Sequence, residues 1–157
     1  MLEVDRDAYL PLLTSNPLFR ELGSAELSAV AELVSERSFA AGETLIERGE
    51  ASTSLFLIVS GLVRVPSVVG TQASLMMTTP EMLGIPGLIA PHRHVLTAIA
   101  NTDCHTFEIS MQGLRALMDT DDSFGRRLFH EVARHLWQVL DEIVADADGK
   151  PIGNYLP

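Results

Sequence analysis

Ser54-Leu-Phe-Leu-Ile-Val-Ser60, then Gly61, then Leu62-Val-Arg-Val65 reads as two short strands joined by a glycine turn. β-branched and aromatic residues fill the runs, and a residue free to take positive φ sits between them. The same pattern extends in both directions. Glu36-Arg-Ser-Phe39, Thr44-Leu-Ile-Glu47, Ser74-Leu-Met-Met-Thr78, Val95-Leu-Thr-Ala-Ile-Ala100 and Cys104-His-Thr-Phe-Glu-Ile109 are further strand candidates. Gly42, Gly49 and Gly70 punctuate them at hairpin distances. Short strands with evenly spaced turns predict an antiparallel roll or barrel, which closes its own sheet edges.

Outside this region the hydrophobic period lengthens from two to nearly four. Upstream, Asn16-Pro17 marks a boundary with Pro suited to a first helical position. Ser24-Ala-Glu-Leu27 has the look of a helix cap, with Leu27, Val30, Ala31 and Val34 at helical spacing. Downstream, Met111–Met118 predicts a short helix and Thr120-Asp-Asp-Ser123 caps a long one running to about Ala147. The expected fold is α+β: an antiparallel β-roll (double-stranded β-helix, or jelly roll) with N-terminal helices and a long C-terminal helix. A single domain spans 1–147, with helices over 5–34, the roll over 35–110 and closing helices over 111–147. An irregular tail follows over 148–157.

The long helix carries two apolar stripes. Phe129, Ala133, Leu136, Leu140 and Ile143 form one, and Leu128, Val132 and Val139 form its neighbour. One stripe suffices to pack on the roll. The other predicts pairing with a second copy or another protein, and Leu128, Phe129, Val132, Leu136, Leu140 and Ile143 are the candidates for that contact.

The chain of 157 residues is long enough to bury a core. Its formal charge of −10 argues against a nucleic-acid partner, whose phosphates require clustered Lys and Arg. No run approaches the roughly 20 apolar residues of a membrane span, and the acidic start Met1-Leu-Glu-Val-Asp-Arg-Asp7 lacks a signal-peptide pattern. A cytoplasmic location is the expectation. One cysteine, Cys104, excludes an internal disulfide and any cysteine-rich zinc site.

Chemistry concentrates in Glu81-Met-Leu-Gly-Ile-Pro-Gly-Leu-Ile-Ala-Pro-His-Arg-His-Val-Leu-Thr-Ala-Ile-Ala100. There a glycine turn enters a short apolar segment and a Pro-His-Arg-His cluster follows. Free N–H groups at a short helix start, with Arg93 and conditionally His92 and His94 nearby, suit a small anion. By itself a Gly-Ile-Pro-Gly sequence is ordinarily only a turn. No Ser/His/Asp order, paired-carboxylate pocket or phosphate loop stands out, so no enzyme is expected.

Phe39-Ala-Ala-Gly-Glu-Thr-Leu-Ile-Glu-Arg-Gly-Glu50 and Ser54–Val65 resemble the β-roll of the cyclic-nucleotide-binding domain. That domain occurs in bacterial catabolite-activator-type regulators, regulatory subunits of cyclic-AMP-dependent kinase and cyclic-nucleotide-gated channels. Asn16-Pro-Leu-Phe19, Leu27, the glycines at 42, 49, 61 and 84, and Glu108-Ile-Ser110 extend the likeness over nearly the whole chain. The resemblance implies a phosphate-binding cassette in which a Glu grips the ribose and an Arg grips the cyclic phosphate.

The matching positions here read Leu83, Gly84 and Ile85, then His94 and Val95 when counted back from Glu108-Ile-Ser110. Both signature charges are replaced. Gly87 and Leu88 complete the cassette helix, Arg93 stands one residue off, and Val139 and Leu140 occupy the base-contacting positions of the long helix. The resemblance therefore implies a stand-alone regulatory or sensor module that reports to a partner protein and does not bind cyclic AMP or cyclic GMP in the usual way. The alternatives are a ligand-free dimerisation scaffold and a diverged receptor using Arg93 and His94. No cofactor is expected beyond an unidentified small anion. His92, His94 and His105 are possible ligands for a haem or metal, and no attachment motif accompanies them.

Overall fold

The computed structural model describes residues 5–66, 74–89 and 93–148, and for 142–148 only the backbone. A 3-10 turn (Arg6–Tyr9) leads into helix α1 (Leu10–Ser15), and α2 (Ser24–Ala31) follows. Eight strands come next: β1 (Val34–Phe39), β2 (Thr44–Ile46), β3 (Ser54–Ser60), β4 (Val63–Val65), β5 (Leu75–Met77), β6 (Met82–Leu83), β7 (Ala98–Ala100) and β8 (Cys104–Ser110). Between β6 and β7 lies a 3-10 turn, Ile85–Leu88. Helices α3 (Met111–Thr120) and α4 (Asp122–Asp148) close the chain.

The strands form two four-stranded antiparallel sheets, ordered β1-β8-β3-β6 and β2-β7-β4-β5. Period-2 alternation divides the first sheet between two cores. Phe39, Phe56, Ile58 and Cys104 face inward and pack against Leu45, Ile46, Val63, Val65, Ala98 and Ala100 of the second sheet. Their neighbours Val34, Leu55, Leu57, Phe107 and Ile109 face outward and are covered by Leu13, Phe19, Val30, Leu114, Phe124 and Leu128 of the helical layer. The predicted β-roll with helices before and after it is the observed fold.

Several local expectations needed tertiary correction. Val34, placed on a helical stripe by spacing, is the first residue of β1. Ser24 is the first residue of α2 and not its cap; Gly23 is the cap and gives no side-chain bond. Pro17 opens no helix. Asn16 ends α1, its Oδ1 accepting from the Leu18 N–H (2.9 Å) and its amide donating to the Pro80 carbonyl (2.8 Å), so this boundary is fastened to a distant turn. The strand expected over 95–100 is ordered only at Ala98–Ala100, and β6 was not legible at two residues. Gly42, Gly49, Gly61 and Gly84 all take positive φ as turn formers; Gly70 lies outside the described residues.

The expected cap of the long helix is present. The Asp121 carboxylate accepts from the N–H groups of Ser123 (3.0 Å) and Phe124 (3.1 Å), satisfying donors that the helix cannot. Its direction is set by Gly125, where a Cβ would meet the Met118 carbonyl at 2.7 Å, so α3 and α4 approach more closely than an alanine would allow. Arg127 of α4 pairs with Glu26 of α2, tying the closing helix to the N-terminal helices. Among the described residues no helix is long and apolar enough to cross a membrane.

Candidate functional site

The cassette begins where β6 ends. Leu83 pairs with Phe56 and enters the roll interior, and Gly84 then reverses the chain at φ 92°, a conformation that disfavours any side chain. A Cβ at Gly84 would also meet the Ser54 carbonyl at 2.9 Å. The single 3-10 turn that follows buries Ile85, Gly87 and Leu88. Ile85, at 2% exposure, and Leu88 belong to the core shared with the helices. Position 85 thus serves as a hydrophobic anchor.

The turn is seated by close packing. A Cβ at Gly87 would lie 2.1 Å from Ser52 Oγ and 2.9 Å from Met111 Cε, so any larger residue there forces these side chains to shift. Among the described residues Ser52 Oγ is buried without a hydrogen-bond partner. From α3, Arg115 reaches over and donates to the Gly87 carbonyl, while α4 packs against the same turn.

On the other side of the cassette, Arg93 and His94 are fixed to the turn at 49–51. Arg93 bridges Ala51, the Gly49 N–H donates to the His94 carbonyl (2.9 Å) and the His94 N–H donates to the Glu50 carbonyl (2.8 Å). The Arg93 side chain is exposed and donates from Nη1 to the Gly49 carbonyl at 2.5 Å. Burial lowers the His94 pKa below the ordinary histidine value and outweighs the opposing attraction of Glu50. The shift favours the neutral form of His94. Val95 is exposed at 58%, and His92 lies outside the described residues.

Of the sequence-based candidates, Leu83, Gly84, Ile85, Gly87 and Leu88 lie on one continuous segment, with Leu83 in the roll interior and Ile85 and Leu88 in the helix-side core, and Arg93 and His94 lie along the 49–51 turn. Val139 is half-buried and Leu140 is 47% exposed. The partner-helix set separates: Leu128 and Val132 are fully buried in the chain's own core and Leu136 packs against it, so a second protein has no access to the first two. The exposed stripe is Phe129, Ala133, Trp137 and Leu140. Ile143 lies among the residues whose side chains are not described.

Sequence reasoning missed Ser52, Arg115 and Trp137. Trp137, four residues beyond Ala133 and the single tryptophan, carried a readable signal. The contacts of Ser52 and Arg115 arise only from folding. His105, a haem or metal candidate by type, is bound on both ring nitrogens by Glu36 and Ser38.

No curated protein matches the chain in sequence. Among solved structures, a cyclic nucleotide-binding protein from Geobacter metallireducens GS-15 is 20% identical, with a TM-score of 0.70 over 89% of this chain and 99% of that one. The sensor domain of the transcriptional regulator DNR from Pseudomonas aeruginosa is 18% identical, with a TM-score of 0.70 over 87% and 94% of the two chains. A regulatory subunit of a cAMP-independent protein kinase A from Trypanosoma cruzi, bound to guanosine, is 24% identical, with a TM-score of 0.64 over 73% of this chain and 42% of that one. At such identities the likeness is one of fold. The family model for the cyclic nucleotide-binding domain matches residues 36–121, more than half of the chain, and with the roll, the glycine turns and the closing helices in place, the chain belongs to that family.

Proposed function

We propose that this chain is a regulatory module of the cyclic-nucleotide-binding family whose cassette does not read cyclic AMP or cyclic GMP in the usual way, and whose α4 conveys the state of the roll to a partner protein. The observation that carries this reading is the burial of Ile85. At 2% exposure in the helix-side core, the residue at the ribose-reading position is part of the hydrophobic packing. The phosphate-reading position holds His94, whose neutral form burial favours.

Hydrogen bonds to charged groups contribute about 1.5–3 kcal/mol each. Losing two compounds to about a thousandfold in affinity. Beside the 49–51 turn the charge offered to an anion comes from Arg93, whose guanidinium is exposed. A neutral ligand avoids that deficit. Guanosine, the nucleoside in the T. cruzi regulatory subunit, has no phosphate and sets the class to try first.

Output through α4 follows from its two faces. Phe124, Leu128 and Val132 bury one face, which reaches the cassette turn. The other offers Phe129, Trp137 and Leu140 to solvent, and hiding apolar surface contributes roughly 25 cal/mol per Å². A second copy paired about a twofold axis is the simplest partner.

Isothermal calorimetry with cyclic AMP, cyclic GMP and guanosine tests the ligand reading. Neither cyclic nucleotide is expected to bind below 100 µM, roughly a thousandfold weaker than a submicromolar receptor. A micromolar or tighter dissociation constant for either would overturn it.

A further inference from the structure

We propose that Ser38 is a nucleophilic hydroxyl, activated by His105 and Glu36, that accepts an acyl group from small activated esters. The site lies on the outer face of the first sheet, away from the cassette, and depends on none of its residues. Antiparallel register sets Ser38 of β1 opposite His105 of β8. Ser38 Oγ is 3.2 Å from His105 Nδ1, and His105 Nε2 is 3.0 Å from Glu36 Oε2. Beyond them the Tyr9 hydroxyl lies 3.1 Å from Glu36 Oε1.

With His105 neutral, the chemistry of these groups places its ring proton. A carboxylate only accepts, so the neutral imidazole carries its hydrogen on Nε2 and points the Nδ1 lone pair at Ser38. Burial and the Glu36 bond raise the Tyr9 pKa, so its O–H persists and donates to Glu36. The carboxylate is thereby held from two sides. It orients the ring and stabilises an imidazolium, the roles that acid and base play in hydroxyl activation. Phe107 meets the His105 ring edge-on at 6.5 Å and the tilted Tyr9 ring at 4.6 Å.

Ser38 itself is exposed. The β1 backbone supplies a second component. The Arg37 carbonyl accepts from Thr106 Oγ1 and the Leu33 carbonyl from the Ser110 N–H, both toward β8, while the Val34 carbonyl accepts from Arg6 on the other side. With period 2, the Ser38 N–H faces the edge of β1 that no other strand pairs among the described residues, next to its own Oγ. An N–H there can donate to an oxyanion formed on an attacked carbonyl.

In the acylation step Ser38 Oγ bonds to the ester carbonyl carbon as its proton passes to His105 Nδ1. The tetrahedral adduct then expels the alcohol, which takes that proton from His105. Acyl-Ser38 and free alcohol are the products. A water molecule attacking the acyl-Ser38 carbonyl, deprotonated by the same nitrogen, releases the carboxylic acid and restores the hydroxyl.

The test is treatment of the full chain with p-nitrophenyl acetate and, separately, with an alkyl fluorophosphonate, followed by intact-mass and peptide mapping. One adduct per chain at Ser38 is expected, absent in Ser38→Ala. Labelling should slow about a hundredfold in His105→Gln, in the range general-base assistance supplies, and also slow in Glu36→Gln. Circular dichroism on each variant separates loss of reactivity from loss of fold. Wild-type protein in which Ser38 is modified no faster than the exposed Ser35 and Ser123 would overturn the proposal. So would an unchanged rate in folded His105→Gln.

Discussion

Gly87 lies so close to Ser52 that a single added carbon would sit 2.1 Å from the Ser52 hydroxyl oxygen, and that oxygen is buried without a hydrogen-bond partner among the described residues. The cassette turn is thus packed on a hydroxyl that no described residue pairs. Burying a hydroxyl unpaired costs about 1–3 kcal/mol in proteins. Ser52→Ala should therefore raise stability by about 1 kcal/mol, seen as a higher urea midpoint at unchanged slope. Gly87→Ala should lower it by about 2 kcal/mol through overpacking. Equal midpoints for wild type and both variants would show that the turn is not held by this contact.

Restoring the family's carboxylate should fail as engineering. Ile85→Glu places an ionisable group at a position 2% exposed among apolar neighbours, and an uncompensated buried charge costs about 3–5 kcal/mol. The expected result is a large fall in melting temperature with no gain in cyclic-nucleotide affinity by calorimetry. A stable variant that binds cyclic AMP would show that the cassette turn can rotate position 85 into the roll.

His94 makes stability depend on pH in a definite direction. Its folded pKa lies below the unfolded value near 6.5, so the unfolded chain binds more protons across the interval between them. The contribution is fully present above pH 6.5 and declines as pH falls through that value toward the folded pKa. His94→Gln should flatten this part of the profile. Urea midpoints of both proteins between pH 5 and 7.5 provide the check.

The exposed face of α4 should hold a second copy. Phe129 and Leu140, 51% and 47% exposed, can change to Asp without touching the core, unlike Leu136, which packs inward. Light scattering at tens of micromolar is expected to give dimer mass for wild type and monomer mass for Phe129→Asp/Leu140→Asp, with circular dichroism unchanged. Trp137, the single tryptophan, offers a second readout, because its emission should shift to the red on dilution through the dimer dissociation range. A wild-type monomer at that concentration would leave the face to a heterologous protein.

The roll and its helices were legible because they rest on local periodicity. Strands such as Ser54–Ser60, punctuated by Gly61, and the Asp121 cap of α4 are written in neighbouring residues, where side-chain alternation and turn chemistry act over a few positions. Spacing along α4 also showed that two apolar stripes exist. Which stripe meets the roll was decided by packing: Leu128 and Val132 turn inward, and Phe129 and Trp137 stay out. The same holds for Ile85, whose apolar side chain was visible in the chain but whose placement in the helix-side core required α4 and the cassette turn to meet. Ser38, Glu36 and His105 are the clearest case. Sixty-seven positions separate Ser38 from His105, and only the cross-strand register of β1 and β8 joins a hydroxyl, an imidazole and a carboxylate. Register is a long-range property, selected by which face of each strand the whole core must bury, and no short window of sequence contains it.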